Sequence, residues 1–168
     1  MRVISVVFSN AKLSSSKSMK KIVLMTALIL AACISGLSQS YDADLAKKLG
    51  ADERGMKMYV LCILKTGPKD SEIKGKDRDA IFAGHFANIN KLAGEGKLAV
   101  AGPFENNDKN WRGLYIFNVG TIAEAEKLVV LDPAVKSGVF VPDLALWYGS
   151  AAMMTVSDVH KKIQKPKQ

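Results

Sequence analysis

The chain has 168 residues and a formal net charge of +8, with 48% hydrophobic residues and two cysteines. This length suits one domain with its own hydrophobic core and leaves little room for a second. The charge is uneven, because residues 1–40 hold five basic and no acidic residues and residues 161–168 hold four more basic ones. Residues 41–160 carry fifteen basic and sixteen acidic residues, so the folded part lacks the basic surface of a nucleic-acid-binding protein.

Residues 1–38 have the pattern of a secretory signal peptide. Basic residues precede an apolar run at 22–34, which has secretory length and is too short to be a stable transmembrane anchor. Small residues at Gly36 and Ser38 predict cleavage before Gln39. We therefore expect a periplasmic or secreted protein.

Two features of this region leave alternatives open. Met19 begins "MKKIVLMTALILAA", a compact signal peptide by itself, and is a possible true start. "LAAC" at residues 30–33 also fits a lipobox, in which case acyl chains on Cys33 would tether the protein to a membrane. After simple cleavage only Cys62 remains, which excludes an intramolecular disulfide, and no spacing suggests a structural metal site.

The first predicted elements lead from a linker into a strand and a helix. Residues 39–56 are polar and contain glycines, which predicts a linker or a loose helix. Apolar side chains fall on both faces of a strand at 57–65, so its sheet needs cover on both sides. After an exposed loop at 66–76, a helix begins at about Asp77 and ends at the glycines of "GEGKL".

The remaining elements complete a recognisable order. Thr121 and Glu124 form a capping box that opens the second helix. The other strands and this helix are predicted at 97–103, 111–119, 139–149 and 121–130. The order βαββαβ predicts an α+β, ferredoxin-like domain at 57–150, with a four-stranded antiparallel sheet and two helices on one face.

The second face of that sheet is also apolar and needs a cover. The simplest cover is the same face of a second copy, which predicts a homodimer. The C-terminal extension, residues 151–168, is an intrachain alternative, and its basic tail at 161–168 is expected to be solvated and disordered.

His85 lies at the centre of the apolar stripe of the first long helix, with Arg78 two turns earlier on the same face. A histidine there is either a core side chain satisfied by one hydrogen bond or a residue that moves a proton. Gly84 beside it weakens the helix, which suits a close approach at this point or a packing contact between the helix and the sheet.

The chain resembles the YciI-like (YCII-related) proteins of the dimeric α+β barrel superfamily, from about Lys57 to Tyr148. The resemblance rests on the helix histidine, "LAGEGKLAVAGPF", "WRGLYIFNV" and "AEAEKLVVLDPAVKSGVF", in that order and spacing. It implies a two-fold dimer packed sheet to sheet, and a cleft between sheet and helices where His85 approaches Asp132. Relatives in the superfamily include muconolactone isomerases. This chain differs in its export signal, its long loop at 66–76 and its C-terminal extension.

A carboxylate on one imidazole nitrogen leaves the other able to take a proton from a carbon next to a carbonyl. His85 and Asp132 are therefore candidate catalytic residues for isomerisation or elimination on a small cyclic acid or lactone, with no metal or cofactor. Arg78 is a candidate for binding a substrate carboxylate, and Trp111 and Trp147 for lining the site.

Each candidate has a structural alternative. Asp132 before Pro133 fits a helix N-cap, and Arg78 fits an ion pair at the helix start. The tryptophans and Tyr115 fit a core or a dimer interface. Three functions remain: a lyase or isomerase, a non-catalytic module that captures a small ligand outside the cytoplasm, and a structural dimer in the cell envelope.

Overall fold

The computed structural model describes residues 40–165, so the predicted signal peptide, the alternative start and the lipobox lie outside the described residues. Residues 42–165 form one compact unit. Its elements are α1 (Ala43–Leu49), β1 (Met56–Thr66), α2 (Gly75–Gly94), β2 (Leu98–Pro103), β3 (Trp111–Phe117), α3 (Ile122–Val129), α4 (Pro133–Lys136), β4 (Phe140–Ser150), a 3₁₀ helix (Ala151–Thr155) and α5 (Val156–Ile163). No helix within residues 40–165 is long and apolar enough to cross a membrane.

The four strands form one antiparallel sheet in the order β2, β3, β1, β4. The central strand β1 pairs with β3 on one side and with β4 on the other. With α2 and α3 inserted between the strands, this arrangement confirms the predicted ferredoxin-like α+β fold.

The main core lies between one face of the sheet and the helices. Alternate residues of β1, namely Val60, Cys62 and Leu64, pack there with side chains of β3, α2, α3 and α4. Burial raises the pKa of the Cys62 thiol to about 12, so this thiol stays protonated and behaves as a small buried hydrophobe. The side chains of β1 therefore alternate between the two faces of the sheet as the sequence predicted.

The C-terminal end of α2 and the N-terminal start of α3 follow their sequence signals. In α2 the chain turns at Gly96, whose φ is 68°, and the backbone N–H of Lys97 donates to the carbonyl of Leu92. In α3 the Thr121 side chain accepts from the backbone N–H of Glu124. Thr121 is therefore the N-cap as predicted, and its hydroxyl, not its backbone N–H, donates to the Glu124 carboxylate.

Three segments outside α2 and α3 also contain helix, and for two of them the sequence had left a helix open. The linker at 39–56 contains α1, because the Asp42 side chain accepts from the backbone N–H of Leu45 and Gly50 closes the helix with a φ of 70°. The break after α3 holds the short helix α4. The tail that was expected to be solvated and disordered from residue 161 continues α5 to Ile163.

The second face of the sheet is covered by the chain itself only in part. Tyr59, Ala99 and Ile116 form a small cluster with Met153 and Met154 of the C-terminal segment. The intrachain cover that the sequence left as an alternative thus exists over this part of the sheet. Farther along β1 and β4 the same face is more open, with Leu61 and Ile63 half-buried and Val141 exposed.

Candidate active site

A cavity of about 410 Å³ lies between α2 and the sheet. Most of its lining is apolar or aromatic, and the polar side chains are few, as is typical of sites for small organic ligands. Four lining side chains carry polar groups: His85, Asn106, Arg112 and Tyr115.

The fold brings His85 of α2 next to Asp132, which lies in the turn between α3 and α4. The His85 Nδ1 atom is 2.9 Å from Asp132 Oδ1 and 2.8 Å from Oδ2. Both side chains are buried, with 6% of His85 and none of Asp132 exposed. The two candidate catalytic residues, 47 positions apart in the sequence, therefore form one hydrogen-bonded pair at the wall of the cavity.

Asp132 is also the N-cap of α4. Its Oδ1 accepts a hydrogen bond from the backbone N–H of Ala134 at 2.9 Å, and Pro133 occupies the first turn. Gly138, with a φ of 80°, closes the segment. The structural alternative for Asp132 is thus realised together with its contact to His85.

Tyr115 of β3 is a third member of the site. Its hydroxyl donates to Asp132 Oδ2 at 2.7 Å and lies 3.2 Å from His85 Nδ1. Burial and the nearby Asp132 carboxylate raise the pKa of Tyr115, so the phenol keeps its proton as a donor. The sequence suggested a core or a dimer interface for Tyr115, and the pairing of Tyr115 with Cys62 places it on the helix-covered face of the sheet.

These contacts determine which nitrogen of His85 carries the proton. A carboxylate only accepts hydrogen bonds, and the single hydroxyl proton of Tyr115 is used toward Asp132. His85 Nδ1 is therefore the donor in its contact with Asp132. Nε2 of the neutral ring then has a free lone pair, and no described residue hydrogen-bonds to it.

Aromatic rings hold the imidazole in place. Phe82, Phe86 and Phe140 meet the His85 ring edge to face, at centroid distances of 5.8, 5.4 and 5.6 Å. The Tyr115 ring stacks on it at 6.0 Å. These contacts limit rotation of the ring and keep most water away from it.

Gly84 allows α2 to approach the turn that carries Asp132. A Cβ atom on Gly84 would lie 2.9 Å from Cγ of Pro133, closer than real Cβ atoms come to other groups. The close approach that the sequence suggested is therefore a contact between α2 and α4. Because Gly84 precedes His85 and Pro133 follows Asp132, this contact sets the separation of the catalytic candidates.

The other candidates from the sequence do not line the cavity. Arg78 Nη2 binds Asp70 Oδ1 at 2.7 Å, because the long loop at 66–76 folds back over the start of α2. Trp147 lies on the second face of the sheet, 5.9 Å from the ring of Tyr59. Neither residue is placed to bind a ligand beside His85.

Trp111 is displaced by a β-bulge between β1 and β3. Gly113 pairs with Leu64 but Trp111 pairs with Lys65, so Arg112 is an extra residue at this point of β3. The bulge breaks the alternation that placed Trp111 on the same face as Gly113. Arg112 lines the cavity instead, and no pattern in the sequence indicated it.

The arrangement places one imidazole at the cavity wall, where it could exchange a proton with a ligand. No group of three or more histidine, cysteine, aspartate or glutamate side chains in residues 40–165 is placed to hold a metal ion. The side chain in the cavity that could take up a proton is the imidazole of His85, which a carboxylate and a phenol orient.

We expect Gly84→Ala to destabilise the protein by about 1–3 kcal/mol, although alanine is the better helix former, because the new methyl group meets Pro133. Gly94→Ala is the matched control in the same helix, since a Cβ there has no neighbour within 4 Å. Gly94→Ala should raise the free energy of unfolding by up to ~1 kcal/mol. Guanidinium unfolding followed by circular dichroism measures both, and equal effects would contradict the close approach.

Comparisons with known proteins give one matching family model and a similar solved structure. No curated protein matches the sequence. Among solved structures, the chain is similar to 5-chloro-2-hydroxyhydroquinone dehydrochlorinase from Burkholderia phenoliruptrix AC1100 in complex with 2,5-dihydroxybenzoquinone, with 20% identity, a TM-score of 0.37, and coverage of 54% of this chain and 91% of that one. Residues 58–142 match the family model for the YCII-related domain, which confirms the resemblance drawn from the sequence. The chain therefore belongs to the YCII-related family.

Proposed function

We propose that this protein is a cofactor-independent acid–base enzyme of the lyase or isomerase type, in which His85 moves a proton on a small cyclic acid or lactone. The observation that carries the proposal is the hydrogen bond from His85 Nδ1 to the buried carboxylate of Asp132, at the wall of the cavity. That bond leaves Nε2 as the proton acceptor.

The proposed step begins when Nε2 removes a proton from a ring carbon next to a carbonyl group, and the electrons of the C–H bond form an enolate. In an isomerisation, the imidazolium returns the same proton to the far carbon of the conjugated enolate, so the double bond moves. In an elimination, a leaving group departs with its electron pair and His85 retains the proton. Both steps balance without a co-reactant.

Asp132 and Tyr115 support this step in different ways. The Asp132 carboxylate stabilises the imidazolium by its charge, over the 2.8 Å contact with Nδ1. Tyr115 donates to the same carboxylate and keeps it oriented toward the ring. Tyr115 is therefore a positioning residue, whereas His85 is the residue that would contact the substrate.

The cavity suits a small ring compound better than a polymer. Its volume of about 410 Å³ lies within the range of small-ligand sites, and its walls are formed largely by phenylalanine and aliphatic side chains. Such walls favour a flat, mostly apolar ligand and exclude water from the enolate.

The isomerisation of α-angelica lactone tests the function, because this small lactone has an activated C–H bond next to its carbonyl. We expect the intact chain to accelerate double-bond migration, and His85→Gln to lower kcat/KM by about 10²–10⁴-fold. Asp132→Asn should cause a comparable loss, because its amide N–H would turn the Nδ1–H tautomer into the Nε2–H tautomer. Absorbance and proton NMR follow the reaction.

The exposed His160 of α5 provides the matched control. His160→Gln should retain the activity of the intact chain, and circular dichroism should show that every variant is folded. Isomerisation at the uncatalysed rate by the intact chain, or equal rates for His85→Gln, would contradict proton transfer by His85. Lactone binding without turnover would favour the alternative, a non-catalytic binding module.

We also propose that the protein works outside the cytoplasm, on the basis of residues 1–38 alone. The basic start, the apolar run and the small residues before Gln39 support export. Intact-mass measurement of the protein recovered from the periplasmic or secreted fraction should give a chain beginning at Gln39. A chain beginning at an acylated Cys33 would instead identify a lipoprotein, and an unprocessed cytoplasmic chain would contradict export.

We further propose a homodimer formed through the open part of the second sheet face. Apolar side chains support this: Leu61 and Ile63 are only half-buried there, and Val141 is 45% exposed. Met153 and Met154 cover the other part of the face, so the dimer contact would be restricted to the open part.

We expect Ile63→Lys to convert the dimer into a monomer, because a charge in an apolar contact between copies is costly to desolvate. Met58→Lys is the matched control, since Met58 lies on the same strand but points to the opposite face and is 40% exposed. Sedimentation equilibrium measures the mass of each variant. A monomeric wild type, or a dimer that survives Ile63→Lys, would contradict this contact.

A further inference from the structure

Among the described residues, those that line the cavity carry positive charge and no negative charge. Arg112 is the one side chain with a permanent charge among the residues that line the cavity, and no carboxylate lines it. Asp132 lies behind His85 and is fully buried, so it compensates the charge that His85 acquires when it takes a proton. The positive charge of Arg112 therefore remains available to bind a negatively charged group of the ligand.

The neighbourhood of Arg112 does not neutralise it. Arg112 Nη1 is 3.5 Å from Asp70 Oδ2, while Arg78 Nη2 is 2.7 Å from Oδ1 of the same carboxylate. Two guanidinium groups thus share one carboxylate, and the closer pair is the one with Arg78. The cluster of these three residues carries one uncompensated positive charge.

Arg112 also has unused hydrogen-bond donors. A guanidinium group carries five N–H donors, and Arg112 makes one side-chain hydrogen bond within the described residues, the long one to Asp70. Its side chain is 40% exposed, so the group is accessible to a ligand entering the cavity. Free donors in a planar fork match the two oxygens of a carboxylate.

One aromatic ring borders both Arg112 and His85. The guanidinium carbon of Arg112 lies 5.9 Å from the centroid of Phe140, and the His85 ring lies 5.6 Å from it. A ligand that lies against Phe140 is therefore close to both the imidazole and the guanidinium. The contact with Phe140 also orients the guanidinium plane.

We infer that Arg112 is an anion-binding subsite, and that the natural ligand is a small ring compound bearing a carboxylate, which Arg112 binds while the reacting carbon faces His85. This inference rests on the proposed function and names its substrate class. It assigns to Arg112 the role that the sequence suggested for Arg78, because the bulge in β3 places Arg112 in the cavity and the 66–76 loop engages Arg78.

Binding of two unreactive isosteres tests the inference. Furoate carries a carboxylate on a five-membered ring, and furamide carries a neutral amide in the same place. Titration calorimetry on the full chain at neutral pH should show that furoate binds about ten- to a hundredfold more tightly than furamide. Arg112→Met should abolish this preference by weakening furoate alone, and Arg112→Lys should restore part of it.

A further variant isolates the subsite. Lys109→Met removes one positive charge from the turn just before β3, at a residue that does not line the cavity, and should keep the preference for furoate. Furoate binding requires no turnover, so a failure of catalysis and a failure of this subsite are distinguishable. Equal affinities for furoate and furamide, no saturable furoate binding at millimolar concentration, or a preference that survives Arg112→Met would each overturn the inference.

Discussion

The buried carboxylate of Asp132 is the group around which the helix-covered side of this domain is organised. Burying a carboxylate is unfavourable unless hydrogen bonds replace its water, and here three donors do so: the imidazole of His85, the phenol of Tyr115 and the backbone N–H of Ala134. The donors come from α2, β3 and α4. One side chain therefore ties a helix, a strand and a turn together, and the loss of any donor leaves a buried acceptor without its partner.

Because of this constraint, a packing role and the proposed catalytic role of His85 are compatible. His85 is buried among aromatic rings and satisfied at Nδ1, as a core histidine is, yet its ring also forms part of the cavity wall. The interactions that stabilise the fold are the same ones that orient the ring for proton transfer. Gly84 makes this possible, because a side chain there would separate α2 from Pro133.

The two faces of the sheet carry different features. The face toward α2 and α3 carries the cavity and the His85–Asp132 pair, whereas the opposite face carries the cluster of Tyr59, Ala99 and Ile116 under the C-terminal methionines. The described residues that line the cavity lie on the helix-covered side of the sheet, away from the Tyr59 cluster. The proposed dimer contact and the proposed catalysis are therefore expected to respond to different mutations.

Local patterns in the sequence determined much of this protein. The two-sided alternation of β1, the capping box at Thr121 and the glycines after α2 act over a few residues, and they predicted the βαββαβ order and its sheet. The pairing of His85 with Asp132 came from the spacing of family motifs, since nothing local connects positions 47 residues apart.

Tertiary structure alone decided the rest. A single bulge in β3 reversed the alternation of side chains, so that Arg112 lines the cavity where Trp111 was expected. The long loop at 66–76 binds Arg78 through Asp70. The hydrogen bond from the Tyr115 phenol to Asp132 forms only because the fold brings β3 next to the start of α4. These outcomes depend on strand register and on contacts distant in the chain, and periodicity in one segment carries no information about either.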